Sequence, residues 1–586
     1  MLKKRITFIQ CLISYNLISN SRNYQIYLYW LTIFFLLITS SALNINTMSK
    51  IRTSRKKQKE TKETQVRKTF TRNLEKLISF RHTGLFIAGF YFVVVGLISF
   101  IFHKVGDYGI ETDFFWGYVP NAKEFLSGQI PMDAFRGPLY PMVLGVFDFL
   151  LGDFFKAGVL IAVLSAAFVI YFTFELLKKI FSPLISFFVT ILLMLNPVFV
   201  QYSYSAGTDM FFNALVAATL FFFFKNKELN YKNLILAALF GGLSYLTRYN
   251  GIFLMSFVFV ILSVNYWKIN WITRVKTSIL FVAVFLITFS PWGFYCLSEK
   301  GSFFYNENYK NIAFEVYGKG KISWDDFWFK ESSKITSMSE VIFKDTGLFL
   351  STTVNNIADH FLSDMEKLLG WQIGTLVILG LFLLVISNPF KYWKTQETAY
   401  YLVNLLFFAL LLLVFYSERF SLFLIPFYVL FAAQLFLVEK FKLTKFLPIT
   451  FRYLLLAGLI IFTFVKSYSF NSQNINSGPT ELLTLHNWYE QNVPSDKKGK
   501  IVAARKAHVA YYLDMKFQLM PMADSYEEFI SKLRENKVDY LYFGIAEAGL
   551  RREFQYLIDP KGKHPGLEVV VYFKDPPSVL YRILKQ

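Results

Sequence analysis

The chain is poor in charge and in cysteine. Of its 586 residues, 17% are Asp, Glu, Lys or Arg, whereas 54% are hydrophobic and 19% are aromatic. A soluble chain of this length would form several domains with a much larger charged surface. The two cysteines, Cys11 and Cys296, lie far apart and offer neither a disulfide framework nor a cysteine-based metal site. Together with a mean hydropathy of +0.39, this composition predicts a polytopic membrane protein.

Acidic residues are outnumbered, 41 against 61 basic residues, for a net charge of +20. This excess does not indicate a nucleic-acid partner. Residues 50–81 alone hold twelve Lys or Arg and three Glu. Most of the other basic residues lie in short links between apolar segments, as the positive-inside rule expects. The charge therefore reports membrane topology.

Eleven apolar segments are candidates for membrane-spanning helices, each of which needs about 20 mostly apolar residues. They are residues 84–103, 156–178, 182–200, 210–225, 233–248, 252–267, 277–297, 370–388, 398–416, 419–438 and 452–467. Every second link between them is basic, and we predict that these links face the cytoplasm together with the basic segment 48–82. The transmembrane domain then covers residues 83–470, and its two long loops, 104–155 and 298–369, face outward.

The first 47 residues form a hydrophobic extension that the topology leaves open. Residues 27–45 could be a twelfth span, but Lys3, Lys4 and Arg5 would then lie outside, against the positive-inside rule. A short hairpin and a start at Met48 are the alternatives. A cleaved signal peptide is disfavoured, because the apolar stretch starts late and no small-residue cleavage site follows it.

Residues 478–586 have the pattern of a small α/β domain. Short apolar strands are predicted at residues 501–504, 517–520, 538–544, 568–573 and 579–584, and helices at 479–492, 507–514, 525–536 and 545–557. The alternation of strands and helices predicts a largely parallel sheet. Because this segment follows the last span, we expect it on the extracytoplasmic side.

The middles of the predicted spans have almost no ionisable residues, and the charges gather at the outer ends. Asp113 follows the first main span, Asp209 and Arg248 lie at outer span ends, and Glu418 and Arg419 are adjacent. A carboxylate can act as a general base, and arginine binds phosphate oxygens through two N–H groups at once. This arrangement predicts an outward site for a lipid-phosphate substrate.

Four stretches carry a family resemblance: "TDFFWGYVPNAKEFLSGQIP", "RGPLYPMVLGVF", "LTRYNGIFLM" and "SERFSLFLIPFYVLFAA". They resemble the GT-C superfamily of integral-membrane glycosyltransferases. The layout is most similar to the glycosyltransferase family 39-like branch of protein O-mannosyltransferases and the lipid A aminoarabinose transferase. The resemblance implies an acid in the first outer loop, matched by Asp113, then Ala122 to Gly128, then Pro138-Leu139-Tyr140. It also implies a polyprenyl-phosphate sugar donor and inversion at the anomeric carbon. We expect the chain in the bacterial inner membrane, with its active site on the extracytoplasmic side that the charge pattern indicates. The chain departs from the pattern in one place: Asp113 is followed by Phe114, and its neighbouring acid is Glu111.

The predicted site residues fall into three groups. The catalytic candidates are Asp113 as the base, Glu111 and Asp209; the donor-phosphate ligands are Arg419, Arg248 and Arg136; the substrate-binding residues are Tyr118, Tyr140 and Glu418. The competing interpretations are a helix N-cap for Asp209, interfacial arginines for Arg248 and Arg419, and interface anchors for the two tyrosines.

No metal ligands are predicted, because His103 and His360 lack metal-ligand spacing. The resemblance leaves a carboxylate-held divalent cation open, since some GT-C relatives need one.

The expected partners are the donor lipid, membrane lipids and an acceptor hydroxyl on a lipid, a glycan or a protein. Two other functions compete. The first is a transporter or flippase of lipid-linked sugars, which the uncharged span interiors disfavour. The second is a non-catalytic scaffold whose outer domain binds a partner.

Overall fold

The computed structural model describes residues 75–104, 113–386, 395–437, 449–493 and 499–585. The predictions for residues 1–47 and for Glu111 lie outside these ranges. The helices are α1 Thr83–Phe102, α2 Val119–Leu126, α3 Leu139–Leu151, α4 Phe154–Ile180, α5 Pro183–Leu195, α6 Pro197–Ser203, α7 Thr208–Phe224, α8 Tyr231–Thr247, α9 Phe257–Ser263, α10 Trp271–Lys300, α11 Tyr309–Ala313, α12 Trp324–Asp326, α13 Met338–Phe343, α14 Thr346–Ser363, α15 Trp371–Ile386, α16 Thr395–Leu411, α17 Glu418–Ser421, α18 Ile425–Leu437, α19 Ile449–Asn476, α20 Thr480–Asn492, α21 His508–Leu513, α22 Tyr526–Glu535 and α23 Ile545–Leu550.

Short 3₁₀ and π-helical turns join several of these helices. The 3₁₀ segments are Tyr249–Ser256, Ser332–Lys334, Leu422–Leu424 and Arg552–Ile558, and the π-helical segments are Phe114–Tyr118, Phe314–Gly318, Phe327–Glu331 and Asp364–Leu368. Five of these eight segments lie in the two predicted outer loops, 104–155 and 298–369.

Each of the eleven predicted spans overlaps apolar helix. Among the described residues, five helices are long and apolar enough to cross a membrane, and the pair α5 and α6, bent by 67°, can count as a sixth. The five are Thr83–Phe102, Phe154–Ile180, Trp271–Lys300, Glu418–Leu437 and Phe451–Asn492. Shorter apolar helices occupy Leu139–Leu151, Thr208–Phe224, Tyr249–Ser263 and Trp371–Val385. The first of these lies inside the segment 104–155, which the sequence presented as a loop.

The helical domain is organised around α4, which packs against α1, α3, α5 and α7. Helix α8 continues the layer by packing on α7 and α10. The bend between α5 and α6 has a local cause. The Asn196 side chain accepts a hydrogen bond from the Phe199 backbone N–H, and Pro197 begins the new helix. These contacts place the N-terminal end of α7 near the segment that carries Asp113.

The C-terminal domain is a five-stranded sheet with helices on both faces. Its strands are β1 Ile501–Ala504, β2 Lys516–Leu519, β3 Tyr540–Gly544, β4 Leu567–Lys574 and β5 Pro577–Ile583, in the order β2-β1-β3-β5-β4. Alternate residues of β3 point to opposite faces. Tyr540 and Tyr542 pack with α20 and α21, whereas Leu541 and Phe543 pack with α22.

The prediction of a largely parallel sheet was wrong. β1 pairs in parallel with β2 and β3, but β5 pairs antiparallel with both β3 and β4. The tight connection between Lys574 and Pro577 allows only a hairpin, because a parallel pair needs a crossover of a dozen or more residues. All five strands nevertheless lie where the sequence predicted them.

Candidate active site

Asp113 forms a salt bridge with Arg136, and Arg136 also holds a second carboxylate. Arg136 Nη2 lies 3.1 Å from Asp113 Oδ2, and Arg136 Nη1 lies 2.9 Å from Asp133 Oδ2. The Asp113 side chain is 42% exposed, whereas those of Arg136 and Asp133 are 14% and 12% exposed. One arginine therefore joins a largely buried carboxylate, Asp133, to an accessible one, Asp113.

The backbone around Asp113 explains this position. Asp113 precedes the π-helical turn Phe114–Tyr118, and its carbonyl accepts hydrogen bonds from the N–H groups of Gly117 at 2.7 Å and Tyr118 at 3.2 Å. Phe114 is fully buried and anchors the turn. A Cβ on Gly117 would lie 2.4 Å from the Arg136 guanidinium, so only glycine leaves room for the salt bridge. Isolated π-helical turns often mark functional sites.

The segment around Arg136 is fixed against the end of α8. A Cβ on Gly137 would lie 2.0 Å from the carbonyl oxygen of Leu246, which shows how closely the two backbones approach. The Tyr249 hydroxyl donates a hydrogen bond to the Arg136 carbonyl at 3.3 Å. Burial by itself would lower the pKa of Arg136, but the two neighbouring carboxylates outweigh it and raise that pKa.

A second ion pair joins Asp209 and Arg248. Arg248 Nη1 donates to Asp209 Oδ1, and their side chains are 15% and 6% exposed. The N-cap interpretation of Asp209 was wrong. The N-cap of α7 is Gly207, and Asp209 lies one residue inside the helix with its carboxylate on Arg248. The position suits an acid electrostatically, since the N-terminus of a helix carries partial positive charge.

Tyr118 links the two ion pairs. The guanidinium of Arg136 lies 5.7 Å from the centre of the Tyr118 ring, and the Tyr118 hydroxyl is 3.4 Å from Thr208 Oγ1. Arg248 Nη1 also donates to Thr208 Oγ1, at 3.1 Å. The Tyr140 ring meets that of Tyr118 edge-on at 5.2 Å and is fully buried, so Tyr140 supports Tyr118 from below.

The predicted ligands Arg248 and Arg419 converge on one aromatic ring. Their guanidinium carbons lie 5.5 Å and 5.0 Å from the centre of Phe420. Arg419 and Glu418 belong to α17, which packs against the π-helical turn Asp364–Leu368. The structure thus connects Asp113, Arg136, Tyr118, Tyr140, Asp209, Arg248 and Arg419 in one network, and Glu418 precedes Arg419 in α17.

Three site residues were missed by the sequence reasoning: Asp133, Thr208 and Asp364. Asp133 lies three residues before Arg136, and Thr208 directly precedes Asp209. Both lie within three residues of a predicted site residue, so their proximity in the sequence was the available signal. Asp364 lies far from α17 in the sequence, and only the fold reveals their contact.

Among the described residues, no three His, Cys, Asp or Glu side chains converge in a way that could hold a metal ion. The carboxylates of Asp113, Asp133 and Asp209 are each engaged by an arginine. The arrangement offers an accessible carboxylate, Asp113, beside several guanidinium groups.

Comparison with known proteins gives one family match and several structural ones. Residues 135–295 match the family model described as dolichyl-phosphate-mannose-protein mannosyltransferase. No curated protein matches the sequence. ArnT from Cupriavidus metallidurans, solved bound to undecaprenyl phosphate, is 12% identical with a TM-score of 0.51, over 86% of this chain and 98% of ArnT.

The Archaeoglobus fulgidus oligosaccharyltransferase tethered to an acceptor peptide is 13% identical with a TM-score of 0.52, over 86% of this chain and 74% of that enzyme. The oligosaccharyltransferase AglB from Archaeoglobus fulgidus, in complex with an inhibitory peptide and a dolichol-phosphate, is 12% identical with a TM-score of 0.50. The match covers 85% of this chain and 74% of that enzyme. These likenesses confirm the predicted GT-C-like fold, which is polytopic and helical with a C-terminal sheet domain. The family model that matches residues 135–295 agrees with the resemblance to glycosyltransferases stated from the sequence.

Proposed function

We propose that the chain is an inverting glycosyltransferase that moves a sugar from a polyprenyl-phosphate donor to an acceptor hydroxyl at the outer face of the membrane. The observation that carries the proposal is the connected pair of ion pairs, Asp113–Arg136 and Asp209–Arg248, on a GT-C-like fold. The similar ArnT was solved with undecaprenyl phosphate, and AglB with a dolichol-phosphate, which supports a lipid-phosphate donor.

Asp113 is the proposed general base because its carboxylate is the accessible one. It takes the proton of the acceptor hydroxyl, whose oxygen attacks the anomeric carbon while the bond from that carbon to the phosphate oxygen breaks. Arg136 was predicted as a phosphate ligand, but its two salt bridges favour a different role here: it orients Asp113 against Asp133.

Arg248 and Arg419 are the proposed ligands of the leaving polyprenyl phosphate. Negative charge grows on the phosphate as the bond breaks, and preorganised cations lower the energy of that transition state. A guanidinium has five N–H donors, so Arg248 can hold Asp209 and a phosphate oxygen together. Asp209 then acts by fixing the direction of Arg248.

Donor consumption in purified membranes tests the proposal. Wild-type protein with membrane extract as acceptor should release sugar from one radiolabelled polyprenyl-phosphate donor, and Asp113→Asn should reduce the rate about 100-fold or more. Asp148→Asn, the same change in α3, is the matched control and should keep full activity. Full activity of Asp113→Asn would overturn the assignment of the base. If wild-type protein consumes no donor, the transporter and scaffold functions become the better explanations.

A further inference from the structure

Two arginines of the C-terminal domain hold one carboxylate from the segment 298–369. Arg505 Nη2 lies 3.0 Å from Asp325 Oδ1, and Arg551 Nη1 lies 2.9 Å from Asp325 Oδ2. Each carboxylate oxygen is thus bound by a different guanidinium, and two positive charges face one negative charge. Paired guanidinium groups are the arrangement that proteins use to recognise phosphate and carboxylate.

The two arginines lie where α/β sheets bind ligands. Arg505 directly follows β1, and α23, which directly follows β3, leads to Arg551. Because β1 and β3 are parallel neighbours, their carboxyl ends meet at one edge of the sheet. Open α/β sheets bind their ligands at this edge. On its other side, β3 pairs antiparallel with β5, so the row of neighbouring carboxyl strand ends stops at β3, beside Arg551.

A buried glutamate holds the two strand ends together. Glu547 Oε1 accepts a hydrogen bond from the Arg505 backbone N–H and Oε2 accepts one from the Gly544 N–H, both at 3.1 Å. Both oxygens of Glu547 are engaged by the backbone, which leaves Asp325 as the carboxylate that meets the guanidinium groups. The geometry of the arginine pair is therefore built into the domain.

Asp325 satisfies this pair incompletely. The Arg551 side chain is 2% exposed, and its Nε and Nη2 atoms have no hydrogen-bond partner among the described residues. The Nε atom of Arg505 is also buried without a hydrogen-bond partner among the described residues. Leaving a charged donor buried and unpaired is costly. A carboxylate brings two oxygens to this cluster, whereas a phosphate monoester brings three terminal oxygens and up to two negative charges.

We propose that Arg505 and Arg551 form a phosphate-binding site at the carboxyl edge of the C-terminal sheet, which Asp325 occupies when no ligand is bound. The ligand class is a phosphate monoester, carried either by a soluble glycan or by a lipid headgroup. The site uses none of the residues assigned to the proposed transfer of the sugar, so its test does not depend on that activity. Asp325 acts as a tethered competitor, which lowers the apparent affinity by the fraction of time that it occupies the site.

Calorimetric titration of the purified full-length protein with inorganic phosphate, at constant ionic strength, tests this inference. We expect Asp325→Asn to bind phosphate about tenfold more tightly than wild type, a difference of about 1.4 kcal/mol. Combining Asp325→Asn with Arg505→Met should abolish the gain. Arg505 is the better arginine to change, because its side chain is 25% exposed and its loss threatens folding less than that of Arg551.

Asp326→Asn is the matched control. It removes the same charge one residue away. Its carboxylate forms a salt bridge with Lys330 at 3.0 Å and hydrogen-bonds neither arginine, although Arg551 is close enough to help lower its pKa. An equal gain in phosphate affinity in this variant would show that the change in net charge alone causes the gain, and would overturn the proposal. If a correctly folded Asp325→Asn protein binds phosphate no more tightly than wild type, the proposal is also overturned. Asp325, Arg505 and Arg551 would then form a purely structural salt bridge between the C-terminal domain and the segment 298–369.

Two further titrations distinguish the sources of the phosphate. Glucose 6-phosphate represents a soluble glycan, and nanodiscs with phosphatidic acid represent a lipid headgroup. The gain in Asp325→Asn should appear with one of these ligands and be lost in the double variant. A gain with neither ligand would limit the site to inorganic phosphate and contradict the proposed ligand class.

Discussion

Asp364 accepts a hydrogen bond of 2.8 Å from the Tyr428 hydroxyl, and both side chains are buried. Ser421, the last residue of α17, is also close enough to help lower the pKa of the Asp364 carboxyl group. This carboxyl group therefore lies beneath the helix that carries Glu418 and Arg419. A contact of this kind fixes the position of a proposed phosphate ligand from a residue that does not touch substrate itself.

The titration of Asp364 should make stability depend on pH. Burial raises the pKa of Asp364 to about 7, and the Tyr428 hydrogen bond and the nearby Ser421 oppose the rise. Since the folded state holds this proton between about pH 4 and pH 7 and the unfolded state does not, stability should fall as pH rises through that window, by at most about 1.4 kcal/mol per pH unit. Asp364→Asn removes this contribution, so the difference in Tm between variant and wild type should change with pH from 4 to 7. A difference independent of pH would contradict the prediction.

Substitutions of Asp113 and Arg136 should differ in how much they lower stability. Asp113→Asn leaves an exposed, neutral side chain and should cost less than about 1 kcal/mol of stability. Arg136→Gln leaves the largely buried Asp133 with its hydrogen bonds from Asn121 and the backbone but without its cation, and should cost about 3 kcal/mol. Thermal unfolding of both variants, beside sugar release, checks the contrast. Equal destabilisation by the two changes would show that Asp113 is mainly structural.

Arg248 and Asp209 should be energetically coupled in donor binding. Arg248→Gln should raise the KM for the donor, and Asp209→Asn should do so by misdirecting Arg248. Because the two side chains touch, the double variant should lose less than the sum of the single losses, with an interaction energy above about 0.5 kcal/mol. Strict additivity in the double-mutant cycle would mean that the two residues act independently.

Gly137→Ala should disturb the site through the backbone. The new Cβ would meet the Leu246 carbonyl oxygen, a backbone atom that cannot move away as a side chain can. We expect a loss of about 1–3 kcal/mol and lower activity. Gly89→Ala in α1 is the control, because a Cβ there meets nothing within 4 Å and alanine favours helix. In thermal unfolding, the changes in Tm of the two variants relative to wild type should differ in sign or clearly in size.

The sequence predicted those features whose cause is local. Each span has its own apolar run, and each strand of the C-terminal domain its own short apolar pattern, so both were found. The antiparallel half of the sheet was missed because strand direction depends on which strands become neighbours. Asp364 was missed for the same reason, since its contact with α17 joins residues more than fifty positions apart. The network from Asp113 to Arg419 was foreseen as a set of residues, but the pairing of Arg136 with Asp113 required the fold.

The C-terminal domain should contribute to activity through Phe115. The Phe115 ring, two residues after Asp113, stacks on Tyr511 at 4.7 Å, and Trp116 meets Phe517 edge-on at 5.3 Å. Aromatic pairs of this kind contribute about 0.5–1.5 kcal/mol each. Tyr511→Ala should therefore loosen the turn that positions Asp113 and lower kcat, with little effect on the KM for the donor. Tyr556→Ala is the control, because Tyr556 lies in the same domain, is about half exposed and packs on Tyr526 and His564. If both variants keep full kcat, the stacked rings do not position the base, and the domain acts through other contacts.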